Sequence, residues 1–146
     1  MYSTEYNKSA RSDKRNSKPL WTASPRWRLT CGAEIALGPG KADLLDAIRR
    51  LGTISGAARD LGMSYRRSWL LVEAMNRCFT RPLVKTSSWR GKGAALTQDG
   101  ERVLELYRQI ETDSFEAVKR PLSSLEKLLR KERPTPRKRG RSREES

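Results

Sequence analysis

Apolar positions recur every three to four residues through the middle of the chain, a spacing that predicts amphipathic helices. Three such helices are predicted over residues 41–51, 54–61 and 64–79, and a longer fourth helix is predicted after Thr97. Gly52 and Gly62 follow the first two helices, at positions that suit a left-handed helix end. Thr53, Ser64 and Thr97 each precede a helix, where a hydroxyl oxygen can accept a hydrogen bond from the first turn.

Alternating apolar and polar positions predict strands before and between these helices. One strand is predicted over residues 27–37, with a single apolar face formed by Leu29, Cys31, Ala33, Ile35 and Leu37. Two short strands are predicted over residues 83–86 and 94–96, joined by a basic loop that contains glycine. The predicted fold class is mainly α with a small β-wing.

Composition divides the chain into three segments. Residues 1–24 are polar and basic, and they are predicted to form a disordered arm. Residues 25–120 carry the apolar periodicity of one folded domain. Residues 121–146 are predicted to form a short helical stretch and a basic disordered tail.

The charge of the chain points to a polyanionic partner. The formal net charge is +14, from 31 Lys and Arg against 17 Asp and Glu. Residues 49–92 contain ten basic and two acidic side chains, whereas residues 93–118 contain two basic and six acidic ones. This division suits a domain that turns one side toward nucleic acid and keeps another side for a different contact.

The residue types that are missing exclude several kinds of chemistry. The chain has no histidine, which removes His-based acid–base catalysis, His-containing zinc sites and Ser-His-Asp triads. Cys31 and Cys78 lie far apart without a Cys-x-x-Cys pairing, so we expect two separate reduced thiols. We therefore expect no enzyme activity, no metal and no cofactor.

The hydropathy of the chain bears on where it acts. No apolar run approaches the roughly 20 residues that span a bilayer. Residues 1–20 contain no apolar signal-peptide core. We therefore expect no membrane partner and a cytoplasmic protein.

One segment, ISGAARDLGMSYRRSWLLVEAMN over residues 54–76, predicts a helix, a tight turn at Gly62 and a second helix. This is the order of a helix-turn-helix. Arg66 and Arg67 lie in the first turn of the second helix, where the helix dipole disfavours cations. Their placement is explained if DNA occupies that helix end, and the alternative is a solvated helix end in an ordinary helical domain.

A basic hairpin loop and the sequence L-T-x-x-G over residues 96–100 follow this motif, and that order predicts a winged helix-turn-helix. The predicted DNA-binding residues are Ser64, Tyr65, Arg66, Arg67, Ser68, Arg90, Lys92, Thr53 and Ser55. Tyr65 could instead pack beneath the turn, and Trp69 is expected in the core rather than against a base.

The last predicted helix has more apolar residues than one contact stripe needs. The same helix from a second copy of the chain would cover the excess, which predicts a homodimer. The predicted dimerisation residues are Leu106, Tyr107, Ile110 and Val118.

The stretches GTISGAARDLGMSYRRSWLLVEAMN and PLVKTSSWRGKGAALTQDG resemble the DNA-binding domain of ModE-type molybdate-responsive regulators. More distantly, they are similar to the LysR-type DNA-binding domain. The resemblance covers residues 38–118, and the segment MSYRRSW and the wing bearing G-K-G are its most specific parts. Trp89 and Arg90 occupy a loop that is richer in glycine in the ModE family.

The resemblance implies a bacterial transcription regulator that binds double-stranded DNA sequence-specifically. It implies a homodimer formed through the long helix, with recognition helix 64–79 of each subunit in a major groove. An architectural DNA-binding protein with little sequence specificity is the alternative. ModE-type regulators that sense molybdate carry further oxyanion-binding domains, so we do not expect this chain to bind molybdate.

Overall fold

The computed structural model describes residues 21–87 and 93–132. Its elements are, in order, β1 (Leu29–Cys31), β2 (Glu34–Leu37), α1 (Pro39–Leu51), α2 (Ile54–Asp60), α3 (Tyr65–Cys78), β3 (Val84–Thr86), β4 (Ala94–Leu96) and α4 (Gln98–Glu126). The two strand pairs, β1–β2 and β3–β4, are each antiparallel. The fold is therefore mainly α with a small β-wing and a long last helix, and the predicted fold class is confirmed.

The chain forms two compact units. Among the described residues, one unit comprises 25–117 and the other comprises 21–24 and 118–132. Within the described part of the second unit, the indole of Trp21 donates a hydrogen bond to the Arg130 carbonyl at 2.9 Å. The domain boundary predicted after residue 120 falls inside α4, which continues through Pro121 to Glu126.

The core of the first unit is built from α1, α3, the wing strands and the start of α4. From α1 come Leu44, Leu45 and Ile48, all fully buried because they lie three to four residues apart on one helix face. Further buried side chains of the same cluster are Val72 and Met75 of α3, Leu83 before β3, and Leu104 and Tyr107 of α4. The wing thus shares one apolar core with the helices.

The predicted caps are observed. The Thr53 hydroxyl accepts a hydrogen bond from the Gly56 amide at 2.9 Å, and the Ser64 hydroxyl accepts one from the Arg67 amide at 3.1 Å. Gly52 has a φ of 71°, the left-handed conformation that ends α1. These are contacts between residues close in sequence, which is why the sequence places them well.

The single strand predicted over residues 27–37 is wrong, because this segment forms the β1–β2 hairpin. Gly32 has a φ of 62° and reverses the chain direction there. Reversal breaks the predicted apolar face, so that Leu29 and Ile35 are exposed while Leu37 is buried. Alternation alone does not distinguish one long strand from two short ones.

The beginning of α4 lies against the backbone that leads into β3. The Thr97 amide donates to the Leu83 carbonyl at 2.9 Å, and the Thr97 hydroxyl donates to the Pro82 carbonyl at 2.7 Å. A Cβ added at Gly100 would overlap the Leu83 carbonyl oxygen. Glycine in L-T-x-x-G is therefore required by this close approach of two backbones.

We expect Gly100→Ala to lower the free energy of unfolding by about 1–3 kcal/mol, because the added methyl forces α4 away from β3. The matched control is Gly40→Ala in α1, where an added Cβ meets nothing within 4 Å. That substitution should be neutral or stabilising by up to about 1 kcal/mol. Urea denaturation of both variants measures the difference, and equal effects would contradict the close-approach argument.

Candidate nucleic-acid interface

The segment from α2 to α3 forms two helices joined by a tight turn. Ala57 and Ala58 are buried, and their small side chains allow α2 to lie close to its neighbours. Gly62, with a φ of 66°, lies in the turn, where the Met63 amide donates to the Ala58 carbonyl at 3.0 Å. This arrangement holds the start of α3 at the surface of the first unit.

The first turn of α3 presents Tyr65, Arg66 and Arg67 to solvent. It contains no acidic residue, and neither arginine has an ion pair with any residue in the described ranges. The helix dipole adds partial positive charge at this end. The site therefore concentrates positive potential around exposed guanidinium and amide donors, which suits an anionic partner.

Several arginines elsewhere in the first unit form ion pairs with carboxylates, whereas Arg26, Arg28 and Arg59 form none within the described residues. The pairs are Arg49–Asp46 at 2.7 Å, Arg50–Asp60 at 2.9 Å, Arg77–Glu34 at 2.8 Å, Arg81–Asp99 at 2.5 Å and Arg108–Asp43 at 2.9 Å. Burial opposes ionisation of Asp46, but hydrogen bonds from Arg50 and Arg49 outweigh it and lower the pKa of this carboxyl group. These ion pairs do not extend to the first turn of α3, which contains no acidic residue.

Tyr65 is held by a neighbour on its own helix. The Trp69 indole donates a hydrogen bond to the Tyr65 hydroxyl oxygen at 2.5 Å, and the two rings meet edge to face with centroids 6.3 Å apart. Trp69 packs against the core, while Tyr65 remains 50% exposed. The Tyr65 hydroxyl accepts from Trp69, so its own proton stays available for an outside acceptor such as a phosphate oxygen.

Ser68 does not belong to this surface, and its predicted DNA contact is corrected. Its side chain is fully buried, and its hydroxyl donates to the Ser64 carbonyl one helical turn earlier at 3.2 Å. Position 68 therefore faces the core, although the preceding Arg67 is exposed. Ser64 and Ser55 are exposed, whereas Thr53 is half-buried beside its capping contact.

Asn76, near the end of α3, ties this helix to the wing, a role that the sequence did not reveal. Its carboxamide oxygen accepts from the amides of Leu83 and Val84 at 2.9 and 3.1 Å, and its amide group donates to the Val84 carbonyl at 3.1 Å. These bonds satisfy both hydrogen-bonding ends of a partly buried side chain. Recognition helix and wing are thereby held in a fixed relation.

The wing strands β3 and β4 pair from Val84 with Leu96 to Thr86 with Ala94. The Ala94 amide donates to the Gly52 carbonyl at 2.8 Å, which anchors the wing at the junction of α1 and α2. Lys85 is exposed next to the buried Val84 and was missed as a candidate contact; strand alternation was the available signal. The predicted contacts Arg90 and Lys92 lie outside the described residues.

The predicted dimerisation residues separate into two groups. Tyr107 is only 1% exposed and its hydroxyl donates to the Trp27 carbonyl at 2.8 Å, so its assignment is corrected to the core of its own chain. Burial raises the pKa of the Tyr107 phenol. Leu106 and Ile110, four residues apart on another face of α4, are 44% and 40% exposed, and Val118 is also exposed.

Other kinds of site were sought in the described ranges. Residues 21–87 and 93–132 contain no group of three or more His, Cys, Asp or Glu side chains placed to hold a metal ion. No described helix has the length and apolarity needed to cross a bilayer.

Helix α3 follows α2 after a tight turn and is hydrogen-bonded to a β-hairpin wing. The first unit therefore belongs to the class of winged helix-turn-helix domains. No protein-family model matches the chain. It is 41% identical over 95 residues to the molybdenum-pterin-binding protein MopB of Rhodobacter capsulatus, covering 64% of this chain and 34% of MopB. It is 39% identical over 77 residues to the transcriptional regulator ModE of Haemophilus influenzae, covering 51% and 30%.

The DNA-binding transcriptional dual regulator ModE of Escherichia coli K12 is 35% identical over 96 residues, covering 60% of this chain and 37% of that protein. The matched part of this chain is therefore similar to part of these ModE and Mop proteins, as the resemblance implied. The chain spans about a third of the length of these curated relatives.

Solved structures were also compared. A CbnR_DBD–DNA complex superposes with a TM-score of 0.49 at 21% identity, covering 59% of this chain and 95% of that one. Full-length LysG from Corynebacterium glutamicum, with bound effector Arg, superposes with a TM-score of 0.48 at 26% identity, covering 64% and 30%.

We expect Arg67→Glu to raise the free energy of unfolding by about 0.5–1 kcal/mol, since a carboxylate three residues after the Ser64 cap suits the positive helix end. Arg77→Glu, in the last turn of α3, is the opposite control. It should be destabilising because it removes a cation from the negative end and breaks the pair with Glu34.

Urea denaturation at low salt measures both changes, and high salt should shrink them. A stabilising Arg77→Glu, or a destabilising Arg67→Glu, would contradict the electrostatic account of α3.

Proposed function

We propose that this chain is a sequence-specific double-stranded DNA-binding regulator of transcription. The observation that carries the proposal is the pair of exposed arginines, Arg66 and Arg67, left without a carboxylate partner in the described ranges at the positive end of α3. Relatives named as transcriptional regulators support the same reading. We place the activity in the bacterial cytoplasm, where chromosomal DNA is found.

In the proposed complex, α3 enters a major groove with its first turn leading. Arg66 and Arg67 then reach base edges, where a guanidinium can bind guanine O6 and N7 with two hydrogen bonds. The Tyr65 hydroxyl and Ser64 lie at the same helix end and would contact phosphate, as would Ser55 and Thr53 at the start of α2.

The wing supplies the second proposed contact. Lys85 of β3 is exposed, and Arg90 and Lys92 belong to the basic loop of the hairpin. Lysine is a point charge that suits a phosphate more than a base edge. We therefore assign these residues to the DNA backbone or the minor groove.

The experiment first selects preferred sites from a random pool of duplex DNA, then measures variants on the selected site and on its single-base changes. Arg66→Ala and Arg67→Ala should each weaken the selected site by about 1–3 kcal/mol and relax the preference at one or two base pairs. Lys92→Ala should weaken all sequences alike and reduce the salt slope by about one. Circular dichroism confirms that each variant is folded.

The opposite pattern would overturn these roles. In that case Arg66→Ala and Arg67→Ala would weaken binding to every DNA sequence equally, and Lys92→Ala would change the order of preference among sites. The net charge of +14 favours a second candidate, an architectural protein with little sequence specificity. Failure of the selection to enrich any sequence, with tight binding to random DNA, would favour that candidate over a regulator.

We also propose that the chain acts as a homodimer through α4. Leu106 and Ile110 present an exposed apolar stripe on the first unit, on a different face from the buried Leu104 and Tyr107. An identical helix of a second copy is the simplest cover for such a stripe. Two recognition helices would then read two half-sites one helical turn of DNA apart.

We expect Ile110→Glu to shift the chain toward monomer, because a carboxylate at the centre of the stripe would be buried without a partner. Thr112→Glu, at an exposed position on the same helix, is the matched control and should leave the assembly unchanged. Analytical ultracentrifugation across a concentration series measures both. Monomeric wild-type chain at high concentration, or equal effects of the two variants, would contradict the proposed dimer.

A further inference from the structure

The two cysteines, which the sequence separates widely, both lie beside Glu34 where α3 ends. Cys31 closes β1 and is the ladder partner of Glu34 on β2. The Glu34 carboxylate accepts a hydrogen bond from the Cys78 thiol, with sulfur and oxygen 3.6 Å apart. Because ladder partners project their side chains to the same face of a hairpin, the Cys31 side chain lies on the face that bears the Glu34–Cys78 contact.

Folding therefore creates a dithiol that the expectation of two separate thiols did not include. Cys31 is exposed and Cys78 is partly buried, so a reagent in solution reaches Cys31 first. A disulfide forms only where the two Cα atoms and Cβ vectors already lie close. Cys31 pairs with Glu34 across the β1–β2 ladder, and Glu34 contacts Cys78. The hairpin that carries Cys31 therefore lies beside the end of α3 that carries Cys78.

We propose that Cys31 and Cys78 form a redox-active dithiol that low-molecular-weight disulfides, such as glutathione disulfide, convert to an intrachain disulfide.

The reaction is two successive thiol–disulfide exchanges. The Cys31 thiolate attacks one sulfur of glutathione disulfide, forms a mixed disulfide and releases one glutathione thiolate. The Cys78 thiolate then attacks the Cys31 sulfur, forms the intrachain bond and releases the second glutathione. The protein loses two electrons and two protons, and glutathione disulfide is reduced to two glutathione molecules.

The surroundings of the two sulfurs fit these roles. Burial, followed by the charge of Glu34, raises the pKa of the Cys78 thiol. Cys78 is thus suited to the second step, in which the high local concentration of the mixed disulfide compensates for a small thiolate fraction. Arg77 pairs with Glu34 at 2.8 Å and holds the carboxylate in place.

The bond would close a loop that contains α1, α2 and all of α3. A disulfide across a long loop restricts the unfolded chain, which stabilises the folded one. The end of the recognition helix would become covalently attached to the β1–β2 hairpin.

The experiment incubates the full chain with glutathione redox buffers of increasing oxidised fraction, quenches with acid and measures intact mass. The expected product has lost two hydrogen atoms, carries no glutathione and migrates as a monomer on a non-reducing gel. Cys31→Ser and Cys78→Ser should instead stop at a glutathione adduct or remain unmodified. The oxidised wild-type chain should melt roughly 10 °C higher than the reduced chain.

Persistent mixed disulfide, free thiols at every buffer ratio, or a disulfide-linked dimer as the product would each overturn the proposal. Far-UV circular dichroism of both serine variants shows whether they are folded, and peptide mapping of the wild-type chain locates the bond without relying on them. Disulfide formation does not require DNA. Failure to form the disulfide would therefore not contradict the proposed DNA-binding function.

Discussion

The burial of one face of α3 is the interaction on which the rest of the structure depends. Val72 and Met75 fix the helix against the α1 core, and Ser68 continues the same face to the first turn. Because that face is buried, the first turn of α3, with the exposed Tyr65, Arg66 and Arg67, is held in a fixed position. The Asn76 carboxamide, which accepts hydrogen bonds from the Leu83 and Val84 amides, fixes the wing relative to α3. A groove-reading surface needs such rigidity, since displaced side chains would lose paired hydrogen bonds to bases.

Electrostatics divides the first unit in the same way. Carboxylates on α1, α2 and α4 neutralise the arginines that lie near them, and the first turn of α3 contains no carboxylate. Two cations at a positive helix end cost stability, typically about 0.3–1 kcal/mol each when exposed. The fold tolerates this cost because helix α3 is held by its buried face and by the Ser64 cap. The contacts that stabilise the first unit thus lie mostly away from the proposed DNA-binding surface.

Much of this site could be predicted from the sequence, and the exceptions have physical reasons. Caps at Thr53 and Ser64 were predicted well because they join residues three apart. The strand over residues 27–37 was mispredicted because alternation is preserved on both sides of a turn, and only the left-handed Gly32 reveals the reversal. Ser68 was assigned to the surface because the stripe of apolar residues does not show where a small polar side chain faces.

The sequence by itself determined the helices, the caps that begin α2 and α3, the order of helix-turn-helix and wing, and the concentration of positive charge before Gly93. All of these follow from the spacing of apolar residues, from hydrogen bonds between residues close in sequence and from local composition, each of which can be read within a short stretch of the chain. Only the tertiary structure decided that Tyr107 packs in the core of its own chain and donates to the Trp27 carbonyl, 80 residues away in sequence. It also decided that Cys31 and Cys78 both lie beside Glu34. Such contacts depend on how loops bring distant elements together, and no local pattern in the chain encodes that distance.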